Sequence, residues 1–119
     1  MMDRYAYVYR NGEDLRTAVK EVRALRNESY RNVADKTKEY NTNLLHVLEL
    51  DSLLNTAELV LLSALAREES RGAHSRQDYP SRDDKNWLKH SLAYRVNGKP
   101  EFIYSPVTIT KHVPTERRY

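Results

Sequence analysis

Residues 41–72 read NTNLLHVLELDSLLNTAELVLLSALAREESRG, and this stretch decides the fold. Leu44, Val47, Leu48, Leu54, Ala57, Leu61, Ala64 and Leu65 recur at the three- and four-residue spacing of one helix face. Asn41-Thr42 supplies a start. Gly72 supplies a stop, because glycine enters the left-handed conformation that closes many helices without a steric penalty. About 28 residues at 1.5 Å each make a rod of roughly 42 Å. Leu59-Val60-Leu61-Leu62 is apolar nearly all round, so more than one neighbour must cover it.

Between Gly12 and Gly72 the chain has neither glycine nor proline. Gly72, Gly98, Pro80, Pro100, Pro106 and Pro114 follow, so residues 1–70 predict a helical bundle and residues 71–119 predict loops, turns and extended chain. Asn11 before Gly12-Glu13-Asp14 marks a helix start, with acids in the first turn. Leu15, Ala18, Val19, Val22 and Leu25 continue it, and a helix is expected over 13–32. Residues 2–10 fit two patterns. Tyr5, Tyr7 and Tyr9 alternate as in a strand, while Met2, Tyr5, Val8 and Tyr9 share a helix face. Two helices cover each other poorly, so a short helix here, as a third antiparallel partner, is the expectation. Downstream, Asp83–Lys89 suits a short helical turn begun by an aspartate. Leu92–Val96 and Glu101–Tyr104 flank Asn97-Gly98, a hairpin signal. Residues 106–110 predict an extended tail.

A length of 119 residues fits one domain. No apolar run is long enough for a transmembrane helix, and no apolar segment follows Met1-Met2-Asp3-Arg4 as a signal peptide would require. The absence of cysteine excludes disulfides, thiolate chemistry, zinc fingers and cysteine-held iron–sulfur clusters within this chain, and fits a reducing compartment. The net charge of +3 is uneven: residues 1–66 carry nine basic and ten acidic side chains, residues 67–119 eleven and seven.

That excess surrounds SRGAHSRQDYPSRDDKNWLKHS, residues 70–91. His74 and His90 with Asp78, Asp83 and Asp84 could supply a general base and an orienting acid, but no nucleophile stands out. No HExxH-like spacing supports a metal site. Arg67, Arg71, Arg76 and Arg82, with Tyr79 and His74, could track a nucleic acid. The interleaved Glu68, Glu69, Asp78, Asp83 and Asp84 suit salt-bridged docking better. His46 is a helix-face residue, and His112 lies in the tail without an evident partner. A phosphate-cradling loop needs clustered glycines, whereas Gly12, Gly72 and Gly98 are isolated. The residues alone therefore give a small helical domain with a polar loop and a trailing hairpin, and no named function.

Essentially the whole chain, most specifically residues 41–94, also resembles the C-terminal helical domain of the flavoprotein subunit of succinate dehydrogenase and fumarate reductase. The resemblance rests on Asn41, Thr42, Glu49, Leu50, Leu53, Ala57 and Glu58, then Glu69 to His74, Asp78 to Pro80 and Arg82 to His90, with a terminal TERRY. L-aspartate oxidases and adenylylsulfate reductases share the architecture, and the Arg-Asp-Asp-x-Asn-Trp segment favours the succinate/fumarate branch. The resemblance implies an all-α fold, a spectrin-like antiparallel three-helix bundle with a short or truncated first helix, followed by a loop, short helix, small hairpin and extended tail. It implies a larger flavoprotein that oxidises succinate to fumarate, or the reverse, by hydride transfer with FAD, passing electrons through an iron–sulfur subunit towards quinone. The FAD and substrate sites of that family lie upstream, so no catalytic, cofactor-binding or metal-ligating residue is expected here, and the isolated chain is expected to be inactive.

On this reading Arg71, Gly72, His74, Arg76, Asp78, Arg82, Asp83 and Trp87 form a docking surface for the FAD-binding and capping parts or for the iron–sulfur subunit. Gly72 would permit a backbone turn and Trp87 would anchor by burial. Localisation would be cytoplasmic, peripheral on the inner face of the membrane through the complex, without direct insertion. A cut-short first helix would leave a groove beside Leu59 and Leu62 and favour self-association or loose packing of residues 1–11. The alternatives are a freestanding interaction module or adaptor and, less favoured, a nucleic-acid-binding domain.

Overall fold

The structure, a computed structural model, describes residues 1–28 and 33–115. Among these residues four helices, α1 (Met2–Tyr5), α2 (Gly12–Asn27), α3 (Thr42–Ala66) and α4 (Asp84–Trp87), are joined by four strands, β1 (Tyr9–Arg10), β2 (Ser75–Arg76), β3 (Lys89–Val96) and β4 (Lys99–Pro106). The strands form two sheets of two: β1 with β2 in parallel, β3 with β4 antiparallel. The fold is therefore mixed α/β, and the expected all-α three-helix bundle is overturned. The third helix amounts to one turn. Tyr9 and Arg10 are extended instead and pair with Ser75 and Arg76, a tertiary pairing across 66 residues of chain that local periodicity does not encode.

The two long helices form for legible reasons. The Asn11 side chain accepts from the Asp14 N–H at 2.8 Å and starts α2, and Asn41 does the same for Leu44 at the start of α3. Helix α2 ends at Asn27, and the rest of the predicted 13–32 span lies outside the described residues from 29 onward. Leu15, Ala18, Val19 and Val22 bury against Leu54, Leu61 and Ala64 of α3. Met2, Tyr5 and Ala6 close one side of this core, so the N-terminal turn does part of a third helix's work.

Helix α3 ends at Ala66, before the predicted stop. Gly72, at φ +59°, sits inside a tight turn in which the backbones of Arg71 and His74 exchange two hydrogen bonds of 2.8 and 3.0 Å. Nothing crowds its missing Cβ, so the backbone conformation itself calls for glycine. The Asp83 side chain accepts from the Asn86 N–H and begins α4. The hairpin turns on Asn97 (φ 50°) and Gly98 (φ 79°), both left-handed as a two-residue turn of this type requires, and its strands run eight residues each. The extended tail leaves β4 at Pro106, and most of the terminal TERRY lies outside the described residues.

Candidate docking site

Residues 67–91 wrap the end of α3, and their charges are arranged by the ends of the two long helices. A helix C-terminus exposes carbonyl oxygens and partial negative charge; an N-terminus exposes N–H groups and partial positive charge. Arg76, 2% exposed, meets the first: its Nη1 donates to the carbonyls of Ala64 (2.9 Å), Leu65 (3.2 Å) and Arg67 (3.2 Å). Asp78 meets the second by accepting from the Gly12 N–H at 2.9 Å. The two side chains then bond each other twice, at 2.7 Å each. One ion pair thus ties the end of α3 to the start of α2. The Arg76 hydrogen bonds hold the Asp78 carboxyl far below the ordinary carboxylate range; burial opposes them and the Gly12 amide adds to them. A Cβ on Gly12 would lie 3.0 Å from Asp78 Oδ2 and 3.1 Å from Arg76 Nη2, so a side chain there would have to displace the ion pair by a few tenths of an ångström.

A second knot centres on Glu69, which is fully buried. Its carboxylate accepts from Arg67 Nη1 (2.6 Å), Arg71 Nε (2.8 Å), Arg71 Nη2 (3.0 Å) and the Asp83 N–H (2.9 Å). Burial alone would raise this carboxyl's pKa, but those donors outweigh it and the net direction is down. Arg71 reaches on to Asp84 at 2.6 Å, and Asp84 also pairs with Arg82 at 2.9 Å. Arg67 extends to the carbonyls of Trp87 and Lys89 and to Ser91 Oγ, stapling the start of the hairpin to the end of α3. Trp87 is half-buried, edge-on to Tyr104 at 5.7 Å, with the Arg67 guanidinium and the Lys89 ammonium over its ring.

His74 lies between three guanidinium groups. Its Nδ1 receives Arg10 Nη1 at 3.1 Å, and since arginine only donates, the ring proton sits on Nε2, which donates to the Arg67 carbonyl at 3.2 Å. Burial, then the charges of Arg10, Arg76 and Arg67, push its pKa down. None of Asp78, Asp83 and Asp84 hydrogen-bonds to it: they are engaged by Arg76 and Gly12, by Asn86, and by Arg71 and Arg82. The proposed acid–base grouping is therefore not assembled. Among the described residues no three His, Asp or Glu side chains are placed to hold a metal ion.

The structure thus brings Arg71, Asp83 and the Arg67–Trp87 staple together around Glu69, and Arg76 with Asp78 at the helix ends. Gly72 and Arg82 lie at the exposed rim. Sequence reasoning named Arg67 and Glu69 only as members of a mixed-charge stretch, missed the central part of Glu69, and did not single out Arg10. A readable signal existed at Glu58, a lone acid between the core positions Leu54 and Leu61. It is 6% exposed and binds Arg23 at 2.8 Å and Arg26 at 2.6 Å.

The whole chain, residues 1–119, matches the family described as fumarate reductase flavoprotein C-term. It is 43% identical to the fumarate reductase flavoprotein subunit of Haemophilus influenzae, over 100% of this chain and 20% of that protein. It is 39% identical to the succinate dehydrogenase flavoprotein subunit of Rickettsia bellii, over 98% of this chain and 21% of that one. The fold is similar to part of an E. coli quinol fumarate reductase, with a TM-score of 0.87 and 38% identity over 97% of this chain and 20% of that chain. The chain spans about a fifth of the length of the relatives it matches.

Proposed function

Because this chain belongs to the family of fumarate reductase flavoprotein C-terminal domains, we propose that it is the structural and assembly domain of a flavoprotein interconverting succinate and fumarate. Hydride would pass between the dicarboxylate and FAD in the rest of that flavoprotein, and electrons would leave through an iron–sulfur subunit towards quinone. This chain would contribute shape and contact and, alone, would bind no flavin and turn over no substrate. Its isolated glycines offer no phosphate cradle of the dinucleotide-binding kind. The complex would lie peripherally on a membrane; among the described residues no helix is long and apolar enough to cross one.

The observation that carries this reading is apolar surface without cover. Leu44, Leu45, Leu48 and Leu53 on α3 are 44–63% exposed, as are Leu92, Tyr94, Val96 and Ile103 of the hairpin at 38–53%. A two-stranded hairpin is marginal by itself and needs a surface to lie on. The charged segment would set the geometry of that contact. Glu69, Arg71, Arg76, Asp78, Asp83 and Trp87 fix the loop's shape, while Gly72, His74 and Arg82 lie at or near the side offered to the partner.

Coexpression with the remaining four-fifths of the flavoprotein on a separate plasmid tests the proposal. The two pieces should copurify with FAD, and succinate-dependent dye reduction should require both. Full activity and full assembly of the larger piece without this chain would overturn the assembly role.

A further inference from the structure

Among the described residues, Arg10 is a cation with a fixed position and no counter-ion. Its Nε donates to the carbonyls of Tyr7 (2.9 Å) and Ala6 (3.2 Å), and one Nη1 hydrogen goes to His74. These bonds fix the guanidinium plane. Among the described residues no carboxylate pairs with it, and the Nη2 hydrogens have no partner. The other buried or half-buried arginines of this end of the molecule are matched: Arg67 and Arg71 with Glu69, Arg76 with Asp78. Arg10 lines a groove of about 500 Å³ between α3 and the start of β3. Leu59 and Val60 form its apolar wall, Ser63 and Ser91 add hydroxyls, and Lys89 adds a second cation whose ammonium rests against Trp87 and Tyr104, with no carboxylate partner among the described residues. Among the described residues no acidic side chain lines it.

We propose that this groove is a docking site for an acidic segment of the same flavoprotein, outside these 119 residues. A carboxylate would meet the free edge of the Arg10 guanidinium and an adjacent apolar side chain would cover Leu59 and Val60. A half-buried guanidinium already oriented by three acceptors loses little freedom on binding, and its planar fork matches a carboxylate. A compact ammonium or phosphate-tracking surface would need neither the apolar wall nor the fixed plane. The inference rests on the reading of this chain as part of a longer flavoprotein. In the relatives matched, the same domain belongs to a chain about five times as long, so a segment of that chain is held at high effective concentration.

The test uses the full-length flavoprotein containing this chain. In an Arg10→Lys variant a zero-length carbodiimide joins the introduced amine to a carboxylate in contact with it, and peptide mapping identifies the partner. The expected product links position 10 to an Asp or Glu outside these 119 residues. The Arg10→Glu variant should release the domain, raising its rate of proteolytic excision about tenfold or more over Arg10→Lys. A cross-link only within this chain, to a second copy or to another subunit would overturn the proposal. So would no cross-link while the domain stays protease-resistant in the Arg10→Glu protein. If the unmodified domain is itself excised freely with no loss of activity, the assembly reading fails first and this inference fails with it.

Discussion

The two halves of α3 are one helix with opposite fates. From Leu54 to Ala66 its apolar side is sealed against α2, and Leu61 is fully buried. From Thr42 to Leu53 it carries as many leucines, yet Leu44, Leu45, Leu48 and Leu53 face outward. Helix α2 is 16 residues long against 25 for α3, so it cannot flank the whole rod. Burial therefore follows the length of the neighbour, not the hydrophobicity of the sequence. The charged loop behaves in the opposite sense. Glu69 and Arg76, which composition would put in water, are among the most buried side chains because the helix ends and each other's charges satisfy them.

The comparison breaks most sharply at Arg76. Arg76→Ala should cost about 3 kcal/mol, because it strips the α3 carbonyls and leaves Asp78 without its cation. Urea unfolding monitored by circular dichroism measures this, and a loss below about 1 kcal/mol would mean the ion pair does not tie the helices. Leu61→Ala should cost slightly less, about 2–3 kcal/mol, as a cavity in the sealed half. Leu48→Ala in the bare half should change stability by less than about 0.5 kcal/mol. Equal effects at the two leucines would erase the distinction between the halves.

Acid should dismantle the charged loop before the apolar core. Asp78, Glu69 and Glu58 have folded-state pKa values below their unfolded ones, so the stability they contribute is present above about pH 4.5 and declines as pH falls from there. His74 is held neutral, with its folded pKa also lowered. Its contribution is complete above about pH 6.5 and is lost on the way down, adding to the same slope. A melting temperature that rises between pH 6.5 and 3.5 would contradict this. The smallest effect expected is weak association of the isolated chain through the bare half of α3, with sedimentation coefficients rising with concentration. Leu48→Glu should abolish the rise without altering helix content.

Much of this was legible in the chain. Asn11 and Asn41 announced the helix starts, Asp83 the short helix, and Asn97-Gly98 the hairpin, because each acts on backbone within a few residues of itself. The apolar run at 59–62 announced a need for two neighbours, which the exposure of Leu59 and Val60 shows is only partly met within these residues. Local pattern favours helix at Tyr9–Arg10, where the chain is a strand, because the pairing partner Ser75–Arg76 is remote in sequence. The charged group at residues 67–91 is legible in the sequence, but not which charges cancel which.

The sequence by itself determined the two long helices, their caps, the hairpin turn, and the glycine at position 72, since propensity, capping and turn chemistry are local. Only the tertiary structure decided that Arg76 and Asp78 would join two helix ends, that Glu69 would be buried among arginines, and that Arg10 would have no counter-ion among the described residues. Those outcomes depend on which chain ends meet in space, and electrostatic pairing acts over ångströms in three dimensions rather than over positions along the chain.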